Sequence, residues 1–120
     1  INYPFGSCFV PEGTGVLLND EMDDFAAKPG VPNAYGLVGN EANSIAPGKR
    51  MLSSMTPTFL NDGNRIAALG SPGGSRIITM VLFGALAFSE GASAAEMVGL
   101  PRFHHQYLPD EITFEPSALS

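Results

Sequence analysis

The chain has one cysteine in 120 residues, half as many cationic as anionic side chains, and no apolar run long enough to cross a membrane. Each shortage removes a class of reading. Cys8 stands alone, so it forms no internal disulfide and belongs to no thiolate metal or redox motif; it is expected to be a small packed side chain. Six Lys and Arg against twelve Asp and Glu leave a net charge of −6 and a pI near 4.6. That balance is wrong for a nucleic-acid or anionic-membrane surface and suits small cationic or zwitterionic ligands. The longest nearly unbroken apolar stretch, Ile77 to Phe88, falls short of the ~20 residues a span requires. No Met opens the chain and no basic-then-apolar leader is visible. Ile1 runs at once into Asn2-Tyr3-Pro4-Phe5-Gly6, which reads as the tail of a strand entering a turn and suggests a fragment or a processed chain. Internal repeats and low-complexity tracts are missing as well.

What is present reads as globular and rich in loops. Residues 7–10 and 15–18 are β-rich runs around Pro11-Glu12-Gly13-Thr14, a turn that favours antiparallel pairing. Residues 28–50 carry three Pro and four Gly without helical or strand periodicity, and a segment of that kind in a small domain is expected to be a lid. Met55 to Leu69, folded about Asp62-Gly63, carries the pattern of a hairpin. Gly70 to Arg76 is a flexible turn leading into an apolar helix over 76–89. Ser93 with Glu96 three residues on forms a capping box for a shorter helix that Gly99 and Pro101 close. Residues 111–115 alternate as a last strand.

Several groups could carry chemistry. Gly73-Gly74 allows close backbone approach and leaves two N–H donors for an oxyanion or a phosphate, although a plain tight turn fits equally well. Ser75-Arg76 follows where Lys-Ser/Thr would be needed, which argues against a nucleotide P-loop. The acidic stretch Asp20 to Asp24 is a solvated loop, a calcium site lacking the spacing of an EF-hand, or, through Glu21 and Asp24, a grip on an ammonium group. Ser53-Ser54 offers paired hydroxyls that suit a carboxylate or an ordinary turn. His104 and His105, being adjacent, point apart and are read as structural, with no metal or cofactor expected.

Taken in order, the segments GVLLNDEMDDFAAKPG, PNAYGLVG, LSSMTPT, GSPGGSRII and PRFHHQ with LPDE resemble the small catalytic subunit of the gamma-glutamyltranspeptidases over nearly the whole chain. The resemblance implies an α+β fold, part of the four-layer αββα sandwich with antiparallel sheets of the N-terminal nucleophile hydrolases. It further implies a 29–50 lid loop, a 55–69 hairpin and a 70–76 oxyanion turn. In that family an autoprocessed precursor exposes an N-terminal threonine, which would lie a short strand upstream of Ile1. Gly73 and Gly74 would then form the oxyanion hole, and Asn2, Glu21 and Asp24 would hold the donor α-ammonium. Ser53 and Ser54 would hold its α-carboxylate, and Tyr35 would be the lid tyrosine of bacterial members. Glu21 departs from the Gln found in many bacterial relatives.

The implied activity is transfer of a γ-glutamyl group from glutathione-like donors to water, amino acids or peptides. The implied partner is the large subunit of the same precursor, in the periplasm or secreted, with the cytoplasm as the alternative; nucleic acid and membrane are not expected partners. Two relatives use the scaffold differently, as cephalosporin acylases and as poly-γ-glutamate depolymerases. A non-catalytic remnant that only binds glutamate-like ligands is the contrasting class. Without its threonine the fragment is expected to be inactive.

Overall fold

Regular structure gathers in the C-terminal half of the chain, where strand and helix signals are dense, and loops prevail where Gly and Pro interrupt them. A computed structural model describes residues 5–119, so Asn2 and the expected opening strand end lie outside the described residues. The chain divides into two units, Ile1–Ser53 and Ser54–Ser120.

Among the described residues the first unit holds two short 3-10 turns, Glu21–Asp24 and Glu41–Asn43, as its helical structure. The runs expected as strands over 7–10 and 15–18 do face each other, with Ser7 N–H donating to Leu18 C=O (3.2 Å) and Leu18 N–H to Phe9 C=O (3.0 Å). They form no strand ladder, because left-handed backbone at Phe5 (φ 67°) and Cys8 (φ 54°) breaks the pleat. The same turn leaves Cys8 exposed, which corrects the expectation of a packed thiol. Phe25 is buried and anchors the acidic turn, a burial that contributes about 2 kcal/mol.

Buried Asn43 joins three segments of this unit. Its Nδ2 donates to Asp24 C=O (2.8 Å), its Oδ1 accepts from Leu52 N–H (3.0 Å), and its own C=O accepts from Ala26 N–H (2.9 Å). In a region without ladders, one side-chain amide thus performs the satisfaction of backbone groups that a sheet would otherwise provide.

In the second unit β1 (Thr58–Asn61) and β2 (Ile66–Leu69) form the hairpin, shorter at its start than the 55–69 expected. Asp62 closes its turn by accepting from Asn64 N–H (2.9 Å), Arg65 N–H (2.8 Å) and Arg65 Nε (2.9 Å). Helix α1 (Arg76–Ser89) buries Ile77, Val81, Gly84 and Phe88, a stripe at helical spacing. Gly84 lies against β2: a Cβ there would meet Leu69 Cδ1 at 3.1 Å.

No basic residue occupies the last turn of α1. Arg65 reaches over from the hairpin to supply one, donating to Phe88 C=O (2.7 Å) and Ala92 C=O (3.1 Å) with its guanidinium 4.4 Å from the Phe88 ring centre. The cation thereby serves the carbonyl end of the helix dipole. Helix α2 (Ala94–Gly99) carries the full Ser93–Glu96 capping box. β3 (Phe103–Gln106) pairs antiparallel with β4 (Glu111–Phe114), and Phe103 packs on Phe83 of α1 with ring centres 4.8 Å apart. Among the described residues no helix is long and apolar enough to cross a membrane.

Candidate active site

The acidic turn is built on Asn19, whose Oδ1 accepts from Glu21 N–H (3.1 Å), and on Asp23 N–H donating to Asp20 C=O (2.9 Å). Three carboxylates, those of Glu21, Asp23 and Asp24, therefore share one turn of 3-10 helix, with Asp20 at its N-cap. None of the four takes part in an ion pair among the described residues. Partial burial pushes the Asp24 carboxyl up to about 6, helped by the hydrogen-bonded Glu21 carboxyl and by the charges of Glu21, Asp20 and Asp23. One carboxylate oxygen of Asp20 is shut off from solvent with no donor against it among the described residues. Acceptors in this state are matched by a ligand that brings a positive charge and several N–H groups.

Tyr35 lies near the tip of a small loop within the expected 29–50 lid. Asn33 N–H donates to Leu37 C=O (2.9 Å), Asn33 Oδ1 accepts from the N–H groups of Tyr35 (2.9 Å) and Leu37 (3.0 Å), and Pro32 bridges to Val38. The segment is thus a closed miniature hairpin, and Tyr35 is exposed at its turn. Ser53 is exposed one residue beyond Leu52, the residue whose N–H the Asn43 side chain holds. Glu21, Asp24, Tyr35 and Ser53 all belong to the first unit.

Ser54, Gly73 and Gly74 belong to the second. Ser54 is half-buried and its hydroxyl makes no hydrogen bond among the described residues. Gly73 (φ 136°) and Gly74 (φ 58°) are consecutive left-handed positions, a path open to glycine and strained for any L side chain. Their carbonyls accept from Arg76 N–H and Ile77 N–H (3.1 Å each), which starts α1. Their own N–H groups donate to nothing among the described residues. Two adjacent free donors ahead of a helix N-terminus are arranged to meet negative charge.

Sequence alone gave no sign of two polar features. One is Asn43, inconspicuous within a Gly- and Pro-rich stretch. The other is the set that joins Ser75, Thr79, His104 and Gln106. His104 is buried on β3 while His105 faces outward, where its Nε2 lies 2.7 Å from Asp110 Oδ1.

Among the described residues, the first unit thus carries a carboxylate turn without counter-charge, and the second a free-donor turn before a helix with a hairpin packed on it. The gamma-glutamyltranspeptidase family model matches residues 1–120, and the chain belongs to that family. It is 54% identical over 117 residues to the glutathione hydrolase proenzyme of Escherichia coli (strain K12), covering 96% of this chain and 20% of that protein. It is 52% identical over 122 residues to the proenzyme of Pseudomonas sp. (strain A14), covering 100% and 21%. Among solved structures, a mutant Helicobacter pylori gamma-glutamyltranspeptidase superposes with a TM-score of 0.81 at 50% identity, covering 97% of this chain and 63% of that one. The fold is accordingly α+β, that of the N-terminal nucleophile hydrolases. The chain spans about a fifth of the length of the curated relatives it matches.

Proposed function

We propose that this chain is the substrate-gripping part of a γ-glutamyltransferase, and that the complete protein moves a γ-glutamyl group from glutathione-like donors to water, amino acids or short peptides. The observation that carries the reading is the acidic turn at 20–24, whose carboxylates pair with no cation among the described residues and where the Asp24 carboxyl is raised to about 6. A donor α-ammonium supplies the missing charge. In this assignment Asn2, Glu21 and Asp24 hold the ammonium, Ser53 and Ser54 donate to the α-carboxylate, and Tyr35 covers the bound group. Holding both ends of the amino acid fixes the side-chain amide in place, which removes much of the entropic barrier to attack.

The nucleophile in this reading is the N-terminal threonine of the processed parent protein. Its hydroxyl adds to the γ-carbonyl while its α-amine accepts the proton. The carbonyl oxygen becomes an oxyanion against the N–H groups of Gly73 and Gly74; loss of one such donor costs about 3 to 4 kcal/mol in comparable sites. Collapse expels the donor amine, which regains the proton, and leaves a γ-glutamyl-threonyl ester that water or an acceptor amine then cleaves. No cofactor or metal takes part. The large subunit of the same precursor completes the carboxylate site, and the periplasm or the exterior of a bacterial cell is the compartment that fits the family.

Assay of the full-length processed protein on a chromogenic γ-glutamyl anilide and on poly-γ-glutamate tests this reading. Faster turnover of the anilide is expected. Faster turnover of the polymer would assign the chain to a depolymerase, and turnover of neither would leave a binding remnant.

A further inference from the structure

The N-cap of α1 is Ser75, the residue type best suited to cap a helix, yet its hydroxyl makes no capping bond. It donates instead to Gln106 Oε1 on β3 at 2.7 Å. Ser75 directly follows Gly74, so this contact fixes the chain immediately beyond the two free N–H donors.

The direction of every bond behind that contact follows from one fixed group. Gln106 Nε2 donates to Leu108 C=O (2.7 Å), and a carbonyl can only accept, so the amide is oriented with Oε1 toward Ser75 and His104. Oε1 accepts from Ser75, and it accepts also from His104 Nε2, 2.9 Å away, which must carry a proton. In the neutral ring Nδ1 is then the acceptor and takes the hydroxyl proton of Thr79, 2.8 Å away on the first turn of α1. A single directed network therefore ties β3 to α1 at two points, Ser75 and Thr79, with buried His104 between them.

We propose that Gln106 and His104 are positioning residues for the Gly73-Gly74 donors, acting through Ser75 and touching no substrate. Two left-handed glycines are the most adjustable residues a backbone can hold, so donors placed on them need an outside anchor to keep a fixed aim. The Ser75 hydroxyl provides it by leaving its capping role. This inference rests on the reading of Gly73 and Gly74 as the oxyanion hole.

The test compares Ser75→Ala, Ser75→Thr, Gln106→Leu and the Ser75→Ala/Gln106→Leu double variant with wild type in the full-length processed enzyme, using γ-glutamyl anilide. Loss of aim rather than loss of a donor predicts a fall in kcat of about tenfold for each single variant that breaks the bond, less than removing an oxyanion donor outright. The donor KM is expected to stay within about twofold, since uniform binding is untouched. Ser75→Thr, which restores the hydroxyl, is expected to recover most of kcat, and the double variant to be no worse than Gln106→Leu alone. Unchanged kcat in Ser75→Ala with an active wild type overturns the inference and leaves the proposed activity standing, as do additive losses in the double variant. An inactive wild type overturns the activity and this inference together. Should Gln106→Leu fail to fold, the Ala and Thr variants at Ser75 decide alone.

Discussion

Carboxylates behave oppositely in the two units. In the second unit, Asp62 accepts from the backbone N–H groups of Asn64 and Arg65 and from the Arg65 side chain. Glu96 closes the capping box with Ser93, and Glu115 pairs with Arg102 at 2.6 Å. These contacts hold all three acids below their usual range. In the first unit Asp24 is raised to about 6, by burial first and then by its acidic neighbours. These three acids of the second unit are matched within the fold and serve its turns and caps. Those of the 20–24 turn pair with no cation among the described residues, which is why a donor ammonium is proposed there.

Removing one of these acids from each unit is therefore expected to have unlike effects. Asp24→Ala in the complete enzyme is expected to raise donor KM on the order of a hundredfold, since a desolvated ammonium loses its counter-charge, with little change in melting temperature. Asp62→Ala should do the reverse, lowering stability by roughly 1 to 2 kcal/mol while KM is kept, because only turn contacts are lost. Steady-state kinetics and thermal melting on the same preparations separate the two.

A steric variant probes the first unit in another way. Gly39 lies so close to Ala26 that a Cβ would stand 2.6 Å from the Ala26 Cβ, with no flexible side chain able to give way. Gly39→Ala is expected to cost about 1 to 3 kcal/mol by overpacking, read as a lower midpoint in chemical denaturation.

Glu21→Gln should have the smallest effect on rate and a defined effect on pH. Glu21 raises Asp24 by its hydrogen bond and its charge, so its removal lowers the Asp24 carboxyl toward the ordinary range. In the proposed grip, donor binding needs Asp24 ionised. The acid limb of kcat/KM, expected near pH 6 for wild type, therefore moves to lower pH in the variant. Folding stability runs the other way: a raised acid favours the folded state while protonated, so its contribution is present below about pH 4 and lost as pH rises through about 6.

Legibility in the sequence follows the range of the forces involved. The hairpin about Asp62-Gly63, helix α1 and the Ser93–Glu96 box are specified within a few residues, and they appear where expected. β3 gave no local sign, because Phe103–Gln106 lacks alternation and becomes a strand only by pairing with β4. The runs at 7–10 and 15–18 have strand composition but not strand structure, since positive φ at Cys8 is a tertiary outcome.

The site shows the same division. Gly73-Gly74 and the acidic turn were visible as residue types, and the family resemblance supplied their roles. The raised Asp24 carboxyl, the Asn43 junction and the Ser75–Gln106 contact each depend on burial or on contacts between separate segments, which spacing alone does not encode.

The most direct measurement compares γ-glutamyl anilide with glutaryl anilide, which is the same molecule without its amino group, on the full-length processed enzyme and on Asp24→Ala. The account predicts a preference for the glutamyl substrate on the order of a hundredfold in kcat/KM for wild type, most of it lost in the variant. Equal turnover of the two substrates by wild type, or a preference that survives Asp24→Ala, would contradict the claim that the acidic turn reads the donor ammonium.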